Sequence, residues 1–288
     1  NKWVLNGKNN DFYQYLIDRF NGSTTNSAII NKKIELMYGK GLTIKNAHTH
    51  ADNYAKLLKM FPKRELRKII SDFELFGSAS FFIRKNKGGG ISDCYHIPRQ
   101  TLAPEKMNED GEIEAYYYCK NWKNTQKNKP ERIPFFVIVG KTETEVMVVE
   151  PYRAGKFYFA DPKYLAGCQY AQLEEEISNF SINHIKNGLS AGYIINFNQG
   201  APTTVEQADE IERDIKRKLT SSGNAGNVII SFNENKENQP TIEEIPTNKS
   251  HEAWQLWVDL ARTNIMVSHG VTSPILFGIK DNSGLGNN

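Results

Sequence analysis

The chain has 288 residues, with 36 Lys and Arg against 33 Asp and Glu and a formal net charge of +3. That balance lacks the strong basic excess of a dedicated nucleic-acid binder, and no apolar run approaches a membrane span or a secretory leader. Cys94, Cys119 and Cys168 are scattered without disulfide or metal spacing, which fits synthesis in a reducing cytosol, and the length fits two or three modules. The sequence opens on Asn1 rather than Met, so its natural ends are expected to lie outside it.

Residues 1–166 read as a mixed α and β body. Phe12, Leu16, Ile17 and Phe20 mark a helix stopped by Asn21-Gly22-Ser23, and a second runs from Ala28 to Tyr38. Tyr38-Gly39-Lys40-Gly41-Leu42 is too short between its glycines for a phosphate loop and lacks the following Ser or Thr, so it reads as a glycine helix cap. His48-Thr49-His50-Ala51-Asp52 is the sharpest enzyme-like feature. Two His one residue apart can ligate a metal, as in some hydrolases. Here, however, Lys45-Asn46-Ala47 precedes the pair instead of a buried strand, and no second ligand motif occurs elsewhere. Helices follow from Tyr54 to Met60 and from Lys63 to Phe76, the latter with a basic face of Lys63, Arg64, Arg67 and Lys68.

From Ser78 the pattern turns to strands: Ser80–Ile83, Ile113–Tyr118, Phe135–Val139 and Glu145–Val149. Asn86–Gly90 reads as a mobile turn and Asn108-Glu109-Asp110-Gly111 as a hairpin turn. Lys120, Lys123, Lys127, Lys129 and Arg132 cluster around Trp122 against the single Glu131. Such a loop suits phosphate contact, or is simply a solvated hairpin tip. Pro151 to Ala171 reads as an extended connector.

From residue 167 the chain reads helix, insert, helix. The first helix (167–189) carries an apolar stripe of Tyr170, Leu173, Ile177 and Phe180. The helical pattern begins near Tyr170, so Glu174, Glu175 and Glu176 fall in its first turns, where the helix dipole favours acids. The insert (190–247) offers strands Tyr193–Phe197 and Asn227–Phe232 around an amphipathic helix from Val205 to Leu219. The inward stripe of that helix is Val205, Ala208, Ile211, Ile215 and Leu219. A strand–helix–strand unit of this length favours a parallel, right-handed crossover. Glu206, Asp209 and Glu210 open the helix, and Lys216, Arg217 and Lys218 close it. From Gly200 to Ser250 nine acids stand against six bases, which suits a protein partner better than DNA. Asn235–Pro240 and Thr241–Pro246 are a candidate edge strand for pairing with a neighbouring subunit. A second long helix (248–271) carries Trp254, Trp257, Val258, Ala261 and Ile265, before a polar tail (272–288) with Lys280 and Asp281.

Several of these stretches resemble the portal proteins of tailed bacteriophages and prophages. They are Glu176–Phe180 with Asn183 and Ile185–Gly188, Gly192–Ile195, Gly223–Asn227, Ile265–Val271 leading into Pro274–Gly278, and Tyr95–Pro98 with Leu102–Pro104 and the Asp110-Gly111 Tyr-rich strand. The resemblance runs from about Asn26 to the end of the sequence. It implies an α+β fold with a wing-like body, two stem helices and a small α/β clip between them. Residue 272 onward would begin the channel loop, ahead of a further helix absent from this sequence.

The resemblance further implies a structural subunit, not an enzyme, with no cofactor, no catalytic residue and no metal. About twelve copies would close a ring at one capsid vertex, with double-stranded DNA passing through without sequence specificity. Clip residues Glu206, Asp209, Glu210, Lys216, Arg217 and Lys218 would dock the terminase large subunit and the head-completion adaptors. Capsid and scaffold proteins would be further partners. Glu174, Glu175, Glu176, Lys186, Lys280 and Asp281 would belong to the channel wall. The site of action would be the virion, after synthesis in the bacterial host cytoplasm. The alternatives are another head or tail connector, or a metal-dependent hydrolase using His48, His50 and Asp52.

Overall fold

The computed structural model describes residues 2–137, 143–186, 193–197, 202, 204–220, 228–232, 241–244 and 250–277. It divides into two compact units, one of Asn1–Gln172 with Arg262–Asn288 and the other of Leu173–Ala261.

The first unit opens with four helices. Helix α1 (Phe12–Gly22) and α2 (Thr24–Tyr38) are separated only by Ser23, whose Oγ accepts the Asn26 N–H at 3.1 Å. That cap starts α2 four residues before the apolar stripe that begins at Ala28. An isolated helix of eleven residues is marginal in water, so α1 is held by Tyr13 and Leu16, both fully buried. Each such side chain contributes on the order of 2 kcal/mol. Gly39 closes α2 at φ +49°, its N–H on the Glu35 carbonyl, so the Gly39-Lys40-Gly41 segment is a cap. Helix α3 (Ala51–Met60) follows, and α4 (Lys63–Phe76) turns Ile69, Ile70 and Phe76 inward. Its basic face is partly engaged: Lys68 pairs with Glu65 at 2.6 Å, and Arg67 lies 4.5 Å over the Tyr38 ring.

Gly77 ends α4 in the left-handed region at φ +77°. A Cβ there would stand 2.6 Å from the carbonyl carbon and oxygen of Asp161, so only glycine fits. Strand β1 (Ala79–Lys85) then runs between β2 (Ile91–His96) and β6 (Thr144–Val149), antiparallel to both. Side chains alternate across it. Phe81 and Ile83 pack with Ile69 and Cys94, while Phe82 joins Leu102, Tyr116, Ile133 and Val146. The Asn86–Gly90 turn closes the β1–β2 hairpin through Asn86 N–H to the Gly90 carbonyl, 2.8 Å.

A second antiparallel sheet has the order β3 (Leu102–Pro104), β4 (Ala115–Tyr118), β5 (Glu131–Pro134). The turn at Asn108–Gly111 sits between β3 and β4, with Gly111 at φ +80°. One expectation is corrected here. The strand placed at Phe135–Val139 lies earlier, at Glu131–Pro134, because β4 pairs with Glu131 through Pro134. Phe135 makes only an isolated bridge to Val146, and Ile138 and Val139 lie outside the described residues.

Three buried charged side chains organise this unit. Arg99 is wholly buried, with Nε on Ser78 Oγ at 3.1 Å, Nη2 3.6 Å from Glu150, and the Tyr13 and Tyr116 rings 5.6 Å away. Lys85 and Glu145 form a buried pair at 2.8 Å. Lys85 Nζ also donates to the Val137 carbonyl, and Glu145 accepts the Val137 N–H. The three cysteines are buried and free, and burial pushes the Cys94 and Cys168 thiols up to about 11, so they stay protonated.

Helix α5 (Cys168–Lys186) begins in the first unit and continues into the second, and α7 (Ser250–Ser268) returns. Between them the second unit holds β7 (Tyr193–Phe197), α6 (Val205–Thr220), β8 (Val228–Phe232) and β9 (Thr241–Glu244). Their order is β8-β7-β9, with β7 parallel to β8 and antiparallel to β9. The parallel strand–helix–strand reading is what the structure shows. The expected edge strand is present as β9, at the edge of this sheet, its residues Thr241–Glu244 registered on Tyr193–Asn196; residues 235–240 lie outside the described ones. The architecture is α+β.

Candidate functional site

The helices α5 and α7 each carry two kinds of surface. On α7, Ala261 and Ile265 are buried and Trp254 and Val258 half-buried, one stripe at helical spacing. Trp254 stacks on Phe180 of α5 at 4.4 Å within the second unit. On the opposite side of α7, Leu256 is 67 % exposed and Val267 69 %, with Leu260 at 47 % close to the same line. On α5, Ile177 is buried while Ile182 and Ile185 are 49 % and 64 % exposed. A helix apolar on two sides is suited to burial on both.

The acids expected in the first turns of α5 sit somewhat further along it. The helix starts at Cys168, behind a 3-10 turn at Leu165–Gly167, so Glu174–Glu176 fall in the second and third turns, beyond the strongest reach of the dipole. Glu174 and Glu175 are half-buried and partnered, while Glu176 and Lys186 are exposed. Lys280 and Asp281 lie outside the described residues.

In α6 the inward stripe is only partly borne out. Ala208, Ile211 and Ile215 are half-buried, but Val205 is 74 % exposed, since it is the first residue of the helix and has no packing turn before it. Glu206, Asp209 and Glu210 share one exposed acidic face. The side chains of Lys216, Arg217, Lys218 and Leu219 are outside the described ones.

Among the five loop bases, Lys120, Lys123, Lys127 and Lys129 are exposed and, among the described residues, have no ion pair. Arg132 is different. It holds Glu105 with two prongs, Nε to Oε1 at 2.9 Å and Nη2 to Oε2 at 2.6 Å, and holds the Glu105 carboxyl below its ordinary range. Glu105 comes from the end of β3, which no local count of charges reveals. Trp122 is buried under Trp3 and Tyr117 at ring distances of 5.9 and 5.1 Å from Trp3, so it offers no exposed ring.

His48 and His50 are exposed in the turn before α3, and Asp52 is in its first turn. Among the described residues no group of three or more His, Cys, Asp or Glu is placed to hold a metal ion. No described helix is long and apolar enough to cross a membrane.

The motif around His269 has a structural explanation that sequence reading missed. His269 is buried, stacks on Tyr164 at 4.6 Å, and its Nε2–H donates to Asn26 Oδ1 at 2.8 Å. Lys33 Nζ donates to the His269 carbonyl at 2.9 Å and lies 3.4 Å from Nδ1. Burial, with the Lys33 ammonium adding to it, lowers the imidazole pKa to about 3, so the ring is neutral. Beside it, a Cβ on Gly167 would collide with Ser268 Oγ. Thus the end of α7 is locked onto α2 and the connector by one polar joint.

No family model matches the chain, and no curated protein matches it. Solved structures do. A chain from the neck of an empty gene transfer agent particle, computed with C6 symmetry, overlaps with TM-score 0.64 at 13 % identity. That overlap covers 96 % of this chain and 73 % of that one. A chain from the neck of the native particle, computed with C12 symmetry, gives 0.62 at 14 % identity over 99 % and 74 %. An HK97-family phage portal protein from Corynebacterium diphtheriae gives 0.42 at 12 % identity over 72 % and 59 %, a score too low to establish a common fold. The chain therefore has the fold of chains in the neck of the gene transfer agent particle.

Proposed function

We propose that this chain is a structural subunit of a phage-type portal ring, in which copies surround a channel for DNA at a capsid vertex. The observation that carries the reading is the fold shared with particle-neck chains over nearly the whole length of this one. Two features of the residues support it. The outward apolar residues of α5 and α7, Ile182, Ile185, Leu256 and Val267, suit burial against other copies. The neck particles were computed with C6 and C12 symmetry, and head-to-tail contacts that close give such rings.

In this reading residues 1–166 are the wing, α5 and α7 the stem, and 190–247 the clip. The acidic face of Glu206, Asp209 and Glu210 docks the terminase large subunit and later the head-completion adaptors, with Lys216, Arg217 and Lys218 at the far end of the same helix. Glu176 and Lys186 of α5, with Glu174, Glu175, Lys280 and Asp281, belong to the channel wall, where acids repel the phosphates of passing DNA. The protein acts in the virion and performs no catalysis of its own. Energy for packaging comes from the docked motor.

The mass of the purified assembly tests this, by native mass spectrometry or light scattering. A closed ring of about twelve copies is expected. A monomer of the complete gene product at high concentration overturns the reading.

A further inference from the structure

The basic loop is part of a larger surface than its sequence shows. The 3-10 turn at Lys8–Asn10 packs on the turn at Trp122–Asn124. Lys8, exposed, thereby joins the exposed Lys120, Lys123, Lys127 and Lys129. The acids of these two segments are Asp11 and Glu131. Arg132, the next base along, is drawn off by Glu105, so five lysines face Asp11 and Glu131.

The surface is also stiff. Its floor is a small core of Trp122, Tyr117, Cys119 and Ala103, with Trp3 and Leu5 packed on it. Asn121 Oδ1 accepts the Lys123 N–H at 3.0 Å, Asn124 Oδ1 the Lys127 N–H at 3.1 Å, and the Asn128 carbonyl accepts Cys119 Sγ at 3.1 Å. The loop backbone is thus fixed by its own asparagines, and the lysines stand on a preformed base.

We propose that this face binds the phosphate backbone of duplex DNA, separately from any channel. Lysines are point charges that neutralise phosphates without reading bases. Single-strand binding relies on exposed rings for stacking, and here Trp122 and Tyr117 are buried, so a duplex is the fitting polyanion. The choice of DNA over an acidic protein rests on the portal reading above, which places the chain in a DNA-filled particle.

The test is fluorescence anisotropy with two unrelated duplexes of about 30 base pairs, at several salt concentrations. A single strand and polyglutamate serve as competitors. The purified protein is expected to bind both duplexes equally, with affinity falling linearly in log–log salt plots. The K120Q/K123Q/K127Q/K129Q variant is expected to bind at least about tenfold more weakly, with a salt slope shallower by roughly 3 to 4. A control that removes as much exposed charge elsewhere, K56Q/K59Q/K63Q/R64Q, is expected to bind as the parent does. Unchanged binding by the first variant, equal loss in the control, or displacement by polyglutamate as effectively as by duplex would overturn the proposal. Assembly mass is read on the same samples: an intact ring with no DNA binding refutes this surface alone, and bound DNA without a ring refutes the portal reading alone.

Discussion

The two units differ in how much of their apolar surface they keep for themselves. The first buries a continuous set of side chains, from Tyr13, Leu16 and Ile30 through Ile83, Leu102 and Tyr116, and can afford to bury Arg99 and Lys85 with them. The second, among the described residues, buries only Ile177, Ile195 and Ala261, while Ile182, Ile185 and Leu256 face outward. The lesson is that the first unit is stabilised from within, whereas the second has apolar surface suited to stabilisation by other copies.

Removing one partner of the buried Lys85–Glu145 pair should produce the largest loss. Glu145→Ala leaves an ammonium 2 % exposed, at a cost of about 3 to 5 kcal/mol. Denaturant unfolding measures it, and the double variant Lys85→Met/Glu145→Leu should recover most of the loss. Gly77→Ala comes next, at roughly 3 kcal/mol, because it adds left-handed strain to a collision with the Asp161 backbone. A melting temperature unchanged in either variant would break the account of a self-sufficient first unit.

The His269 joint predicts a pH dependence. Its folded pKa of about 3 lies below the ordinary 6.5, so the unfolded chain binds the extra proton as pH falls. Stability is full above 6.5 and declines through the window from 6.5 toward 3, by about 2 kcal/mol between pH 7.5 and 5. His269→Gln should lower stability at pH 7.5 and flatten the slope between pH 6.5 and 5. An equal slope in that variant would assign the effect to other groups. The smallest effect on folding belongs to the second unit. Ile185→Ser and Leu256→Ser should change monomer stability by less than about 0.5 kcal/mol, while weakening assembly.

Much of the fold was legible where local signals agree. Lys63–Phe76 was bounded correctly because Pro62 and Gly77 flank a clear apolar stripe, and the parallel β7–α6–β8 unit followed from its length. Strand β5 was misplaced because Glu131-Arg132-Ile133-Pro134 carries one inward apolar residue, Ile133, whereas the stronger apolar run follows it. Its pairing with β4 decides the matter, and pairing is not local. Arg99, Lys85 and Glu145 went unread for a related reason: charged residues default to the surface, and only distant partners such as Glu150 and Val137 reveal otherwise. The lysine surface was half legible. Its loop showed in the sequence, but Lys8 arrives from more than a hundred residues away, and Arg132 is drawn off by Glu105.

The most direct test of this division is the native mass of the parent protein beside the Ile185→Ser/Leu256→Ser variant at equal concentration. The account predicts a closed ring for the parent, and free monomers with an unchanged melting temperature for the variant. A parent that stays monomeric, or a variant that keeps the full ring, would contradict it.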